Sequence, residues 1–298
     1  MVSHKVIGNP IIRHKYTADP TALVHQNKLY LYTGHDEAPV GTEKYIMKDW
    51  LCFSSTDLLE WKEYTVSLRA TDFSWANGKA YASKVIEYKD RFLWYVAVNH
   101  ATISGSSIGI AESKSPAGPF VDARGSALIT LDMLPSKTNE LANLDPTVLI
   151  DDDSQAWIFW GNKICYYAKL KENLIELARP VQTVNLPGFE EGAHLHKRNG
   201  WYYLSYGYQM PEKVAYVMSR NINGPWEFKG ILNEVTGNCE TNRPAIIEFK
   251  DKSYFMYHNG GLRNGGSHRR SVCIDYLYYN ADDSMKRVIM TSEGVQPV

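Results

Sequence analysis

Five times along this chain an apolar run leads to a polar tip and returns through an aromatic-rich run. The segments are ALVHQNKLYLYTG (22–34), KVIEYKDRFLWYVAV (84–98), TVLIDDDSQAWIFWG (147–161), HLHKRNGWYYLSYG (194–207) and AIIEFKDKSYFMYHNG (245–260). Apolar and polar residues alternate, and each turn falls at Asn, Asp or Gly, the pattern of a β-hairpin. After each hairpin comes a second unit, at 50–61, 107–120, 163–177, 213–228 and 269–284, that reads as a third strand, a turn and a fourth. Two of these units share an ending with Gly-Pro before an aromatic residue, Ser113 to Phe120 and Ser219 to Trp226. One such sheet cannot bury both faces by itself, so units of roughly 60 residues must stack radially around an axis. The expected architecture is all-β: a five-bladed β-propeller with four antiparallel strands per blade, forming a single domain over 1–298. A β-sandwich does not account for a repeat this long.

Composition narrows the function classes. The net charge is −1, so there is no basic footprint for nucleic acid. Twenty tyrosines and eight tryptophans favour strands and supply faces on which sugars stack, although most of them are expected in the core. No apolar run is long enough to span a membrane, and the N-terminus MVSHKVIGNP lacks the apolar centre of a secretory signal. Cys52, Cys165, Cys239 and Cys273 lie far apart with no zinc-type spacing. Together these features lead to the expectation of a reduced, cytoplasmic protein. Asp151-Asp152-Asp153 reads as a solvated hairpin tip rather than a metal site, since EF-hand spacing is absent.

Asn27, Asp90, Asp153, Asn199 and Asp251 mark the hairpin tips. Eight residues before them stand Asp19, Ala82, Asp145, Glu191 and Arg243. In a propeller the first strand of each blade lines the central channel, so these positions are expected around one mouth of it. The repeat does not require charge there, because Ala82 does without it. Three acids in one pocket raise one another's pKa, and an acid so raised stays protonated near neutral pH. An acid beside a base is what glycosidic bond cleavage needs.

The segments ADPTALV, DPTVLIDDDSQAWIFWG, EGAHLHKRNGWYYLSYG, SKSPAGPF and RRSVCIDYLYYN resemble those of glycoside hydrolase family 43 and together cover nearly the whole chain. The resemblance implies a five-bladed propeller that inverts the anomeric centre, acting mostly on α-L-arabinofuranosides and β-D-xylosides. By position, Asp19 resembles the general base, Asp145 the carboxylate that orients the acid and tunes its pKa, and Glu191 the general acid. Glu190 and Glu240 are rivals for the acid. Inversion needs a water between base and sugar, hence carboxyl groups roughly 6.5–9.5 Å apart. Trp75 is expected against the sugar, with a loop Trp filling the gap between blades as the alternative. Arg270 resembles an arginine that grips the substrate or the tuning carboxylate, while its neighbour Arg269 faces the other way. Tyr81, Ser83 and His35 are further candidates for substrate contact, with a structural histidine the alternative for His35.

Many relatives carry a histidine at the fifth ring position, where it helps to hold a channel calcium ion. This chain has Asn242-Arg243-Pro244, which puts calcium in doubt: either the guanidinium stands in for the ion, or Arg243 turns away and the channel holds water. No cofactor or metal is expected to be required. The expected activity is exo-acting release of terminal L-arabinofuranose from arabinoxylan-type oligosaccharides, with β-xylosidase as a side or primary activity. The lack of the C-terminal β-sandwich domain found in many β-xylosidases of the family tilts the expectation toward arabinose. The expected partner is a small oligosaccharide. A non-catalytic sugar-binding propeller would lack or misplace one of the three acids.

Overall fold

A computed structural model describes residues 2–65 and 68–298. The backbone forms five antiparallel sheets in chain order. Blade 1 holds β1 (Val2–Lys5), β2 (Thr17–His25), β3 (Lys28–His35), β4 (Asp49–Ser55), β5 (Glu60–Glu63) and the short β6 (Leu68–Arg69). Blade 2 holds β7 (Ala76–Tyr88), β8 (Arg91–His100), β9 (Ser106–Ser113) and β10 (Val121–Asp122). Blade 3 holds β11 (Thr147–Ile150), β12 (Ala156–Trp160), β13 (Cys165–Lys169) and β14 (Gln182–Val184). Blade 4 holds β15 (Phe189–Arg198), β16 (Trp201–Tyr208), β17 (Lys213–Ser219) and β18 (Glu227–Asn233), and blade 5 holds β19 (Ala245–Phe249), β20 (Lys252–Asn259) and β21 (Ser271–Leu277).

The fold is the expected five-bladed propeller, and every hairpin read from the sequence is present. Blade 5 pairs three strands, and a single bridge between Tyr279 and Met285 follows them. Blade 1 gains the N-terminal β1 on the outer side of β5. Closure of the ring is visible in hydrogen bonds between the N-terminal part of blade 1 and the start of β21 with the residue before it. Ile11 N–H donates to the Val272 carbonyl, and Thr17 N–H donates to that of Arg270.

The core lies between neighbouring blades, where alternate strand residues interlock. Trp50, Trp61, Trp94 and Trp160 are fully buried there, which accounts for half of the tryptophans. The two Gly-Pro endings are one turn made twice. Ser113 and Ser219 each accept a hydrogen bond from the N–H two residues on, and Gly118 and Gly224 take φ of 81° and 83°, values that favour glycine. Asp152 and Asp153 lie at an exposed tip, while Asp151 is held by Lys197 and Tyr202. Among the described residues, no helix is long and apolar enough to cross a membrane.

Candidate active site

The two Asp-Pro-Thr segments carry the same backbone distortion. Asp19 has φ 50° and Asp145 has φ 57°, a left-handed conformation uncommon outside glycine but best tolerated by Asp and Asn. In blade 1 this lies in a bulge, because the pairing steps from Ala18–Gly34 to Thr21–Tyr32. A bulge re-aims a side chain, and strain of this kind gathers at functional sites.

Blade 4 reaches the same mouth by a different count. Its turn residues are Asn199 and Gly200, so Asn199 is the first of the pair, whereas Asn27 is the second in blade 1. Counting from the last paired residue, Gly192 is therefore the equivalent of Asp19, and Glu191 stands where Ala18 stands in blade 1. The eight-residue count is thus one residue out in blade 4. The bulge between Glu191 and His194, with Gly192 at φ 70°, matches the one between Ala18 and Thr21 in blade 1, so the difference lies in which turn residue marks the tip.

Asp145 and Glu191 are joined through this bulge. Asp145 Oδ2 accepts the Gly192 N–H at 2.7 Å, so it pins the peptide adjoining Glu191. The Glu191 carboxyl accepts a hydrogen bond from Asn162 Nδ2 at 2.7 Å. Burial, then the charge of Asp145, and after these the charge of Asp19 push the Glu191 carboxyl up to about 8. Burial also lifts Asp145, to about 6, against the opposing pull of Arg243. The rivals are elsewhere engaged. Glu190 pairs with Lys163, and Glu240 is exposed.

Asp19 sits in a different electrostatic setting. Arg270 Nη1 donates to Asp19 Oδ1 at 3.0 Å, and the Asp19 N–H donates to His258 Nδ1 at 3.2 Å. His258 Nε2 donates to the Thr241 carbonyl at 3.0 Å, which fixes the neutral tautomer, and burial holds this histidine well below its usual pKa. The other edge of Arg270 is gripped by Asp36, whose Oδ2 accepts Nε at 2.9 Å and whose Oδ1 accepts Nη2 at 3.0 Å. Arg270 is therefore a buried fork between Asp19 and Asp36, not on the tuning carboxylate Asp145, an alternative the sequence offered. Arg269 instead donates to the carbonyls of Pro39, Thr42 and Asn264.

Arg243 is buried at the same mouth. Nη1 and Nη2 each reach a carbonyl at 3.3 Å, those of Pro20 and Pro146, so the guanidinium ties together the two Asp-Pro-Thr segments. Its Nε lies 3.8 Å from Asp145 Oδ1.

Other sequence candidates lie in different surroundings. Trp75 donates to Asp122 Oδ2 at 3.0 Å, rests against Phe73 and His100, and covers Gly109, so all these contacts fall within blade 2 and the short segment leading into it. Trp75 also packs on the core shared by blades 1 and 2, the position of the gap-filling alternative. Tyr81 donates to Asn99, Ser83 accepts from Trp94, and His35 pairs with Asp49. None of the three is hydrogen-bonded to the carboxylates. In the stretch TGHDEA, the neighbour of His35, Asp36, is the one that reaches the site.

Two site residues had no motif to mark them. Glu212 is almost fully buried, accepts the Asn242 N–H at 2.8 Å, and is raised well above the usual carboxylate range by burial and by Glu191. Tyr45 is half exposed, its ring 5.1 Å from the Arg270 guanidinium and 4.4 Å from His268. Glu191 contributes to raising its hydroxyl, to about 12, after burial as the main cause. An exposed aromatic face beside the carboxylates is a stacking surface for a sugar.

The donor set at the channel does not fit calcium, which takes oxygen ligands. Arg243 offers only donors and occupies the Pro20 and Pro146 carbonyls. The Nε2 lone pair of His194 is used by the Ile246 N–H at 3.0 Å. Among the described residues, the His/Cys/Asp/Glu cluster compact enough for a metal is His4–His14–Glu63, on the outer edge of blade 1.

Known proteins match this chain over nearly its full length. An arabinoxylan arabinofuranohydrolase of Bacillus subtilis is 26% identical over 98% of this chain, which spans 66% of that protein. The chain likewise spans 52% of a second such enzyme, from Paenibacillus polymyxa. Xylosidase/arabinosidase 43A of Humicola insolens is 28% identical, with 92% and 97% of the two chains aligned. Among solved structures, an α-L-arabinofuranosidase of Clostridium thermocellum superposes with a TM-score of 0.81 at 31% identity, over 96% of this chain and 98% of that one. The family model for glycosyl hydrolases family 43 matches residues 7–285, and with this propeller and its converging acids the chain belongs to that family of glycoside hydrolases.

Proposed function

We propose that this chain is an exo-acting, inverting α-L-arabinofuranosidase that releases terminal L-arabinofuranose from arabinoxylan-type oligosaccharides, with β-D-xylosidase as its second activity. The observation that carries the reading is the division of labour among the carboxylates. Glu191, pushed up to about 8, is protonated at neutral pH and is the general acid that gives its proton to the leaving oxygen. Asp19, fixed by Arg270, is the base that takes a proton from water as the water attacks the anomeric carbon. Asp145 acts through Glu191, as a positioning residue and a source of its raised pKa.

Asp19 and Glu191 belong to blades 1 and 4, which are not neighbours in the ring. This favours a gap wide enough for the attacking water. Arabinose as the sugar is supported by the arabinofuranohydrolase and arabinofuranosidase relatives. The second activity is supported by relatives whose names pair xylosidase with arabinosidase. Tyr45, rather than Trp75, is the aromatic face placed to meet the sugar. The free, buried thiols of all four cysteines support a cytoplasmic setting, where short imported oligosaccharides are the substrate.

A chromogenic panel with arabinofuranoside and xyloside side by side, on wild type and Glu191→Gln, tests this reading. Wild type is expected to cleave the arabinofuranoside faster. Glu191→Gln is expected to lose on the order of 10²–10⁴ in kcat/KM, the usual worth of a positioned acid. Unchanged hydrolysis in the variant removes Glu191 from its role, and a faster xyloside reaction reverses the order of the two activities.

A further inference from the structure

The misfit with calcium has a positive counterpart on the far side of the carboxylates. The inner strands of all five blades line an open channel of about 390 Å³ along the axis, with Lys84, His194 and Ile246 deeper in it and Glu87, Lys197 and Glu248 further along their strands. Counted from the last paired residue of each hairpin, Lys84 and His194 stand four residues back and Arg243 six. The cavity therefore ends on cationic and donor groups just beneath the catalytic mouth.

Each of these groups has something unmet. Lys84 has no hydrogen-bond or ion-pair partner among the described residues. His194 takes the Ile246 N–H on Nε2, so its proton is on Nδ1, which has no partner among the described residues. The Arg243 Nε–H is buried without an acceptor. Lys84 is part-buried where it meets the channel; a cation drawn partly out of water without a counter-charge is costly, and among the described residues no carboxylate is within ion-pair reach of it. We propose that the axial channel is a binding site for a small inorganic anion of the size of chloride, held by Lys84 Nζ and His194 Nδ1–H with the Arg243 guanidinium above it.

Burial, followed by the charge of Arg243, lowers Lys84 to about 8, and a bound anion would raise it again. The anion takes the axial place that a cation would fill if acceptors lined the channel. The inference is independent of which sugar is cleaved.

Thermal unfolding in sodium chloride and in sodium gluconate at matched ionic strength, on wild type and Lys84→Met, tests the site. Wild type is expected to show a saturable rise in Tm specific to chloride, absent in Lys84→Met. An equal response in both proteins, or none in wild type, overturns the proposal. Crystals of wild type soaked in bromide give a reading that needs no variant. An anomalous peak beside Lys84 in the channel is expected, and bromide confined to the surface, an adventitious ion only, overturns the proposal. Adding calcium to chelated protein is expected to change neither Tm nor activity, and a rise in either contradicts the assignment.

Discussion

At the scale of single residues, the site separates two kinds of carboxylate by their neighbours. Asp19 faces a guanidinium, whereas Glu191 faces burial and a second acid, and the two are thereby suited to opposite proton transfers. The sign of the pH effect follows. As the proposed acid Glu191 works protonated, so activity is expected to fall as pH rises through its pKa of about 8. Asp145 raises that pKa through its charge, so Asp145→Asn lowers it and moves the basic limb of the kcat/KM profile to lower pH. The amide oxygen of Asn can still accept the Gly192 N–H, which keeps the backbone in place. A limb that stays put in Asp145→Asn shows that the charge of Asp145 does not set the pKa of the acid. The sequence made Asp19, Asp145 and Arg270 legible because each falls at a repeated or alternating position. Asp36, Glu212 and Tyr45 were hidden, because they come from loops or strand ends whose place is set by contacts between blades 1, 4 and 5.

At the scale of elements, hairpin periodicity was readable because its period of two residues is a local property. Bulges are not local in this sense, since they exist only in the pairing of two strands. The count from the tips reached Asp19 and Asp145, but it reached Glu191 one residue off the Asp19 position. The tip Asn199 is the first residue of its turn and Asn27 the second, while β2 and β15 carry the same bulge. The same limit applies to the end of blade 5, where four strands were expected and three pair. The joint between the end of β3 and the start of β21 is a buried ion pair. Asp36 accepts from the Arg270 side chain and from its backbone N–H, the latter at 2.9 Å. Removing Asp36 leaves the buried Arg270 with Asp19 as its single carboxylate partner, and breaking a buried pair costs up to roughly 3–5 kcal/mol. Asp36→Ala is expected to lose that much stability in urea unfolding, together with activity. A loss below ~1 kcal/mol would mean that Arg270 has another support.

For the whole molecule, closing the ring is what turns a repeated strand signature into a site. Asp19, Asp145 and Glu191 come from blades 1, 3 and 4, and Arg243 and Arg270 come from blade 5 and the segment leading into it. No single blade carries the chemistry. The β-hairpin repeat and the acids at its ring positions were legible from the chain alone. The cationic axis was legible only at Arg243, because Lys84 and His194 look like ordinary strand residues until five strands surround them. The central claim is that Glu191 and Asp19 act across the ring on opposite faces of the sugar, with water between them. Proton NMR of the first-formed sugar during hydrolysis of an aryl α-L-arabinofuranoside tests it most directly. The account predicts that the β anomer appears first and the α anomer only later, by mutarotation, whereas α-arabinofuranose as the first product would contradict it.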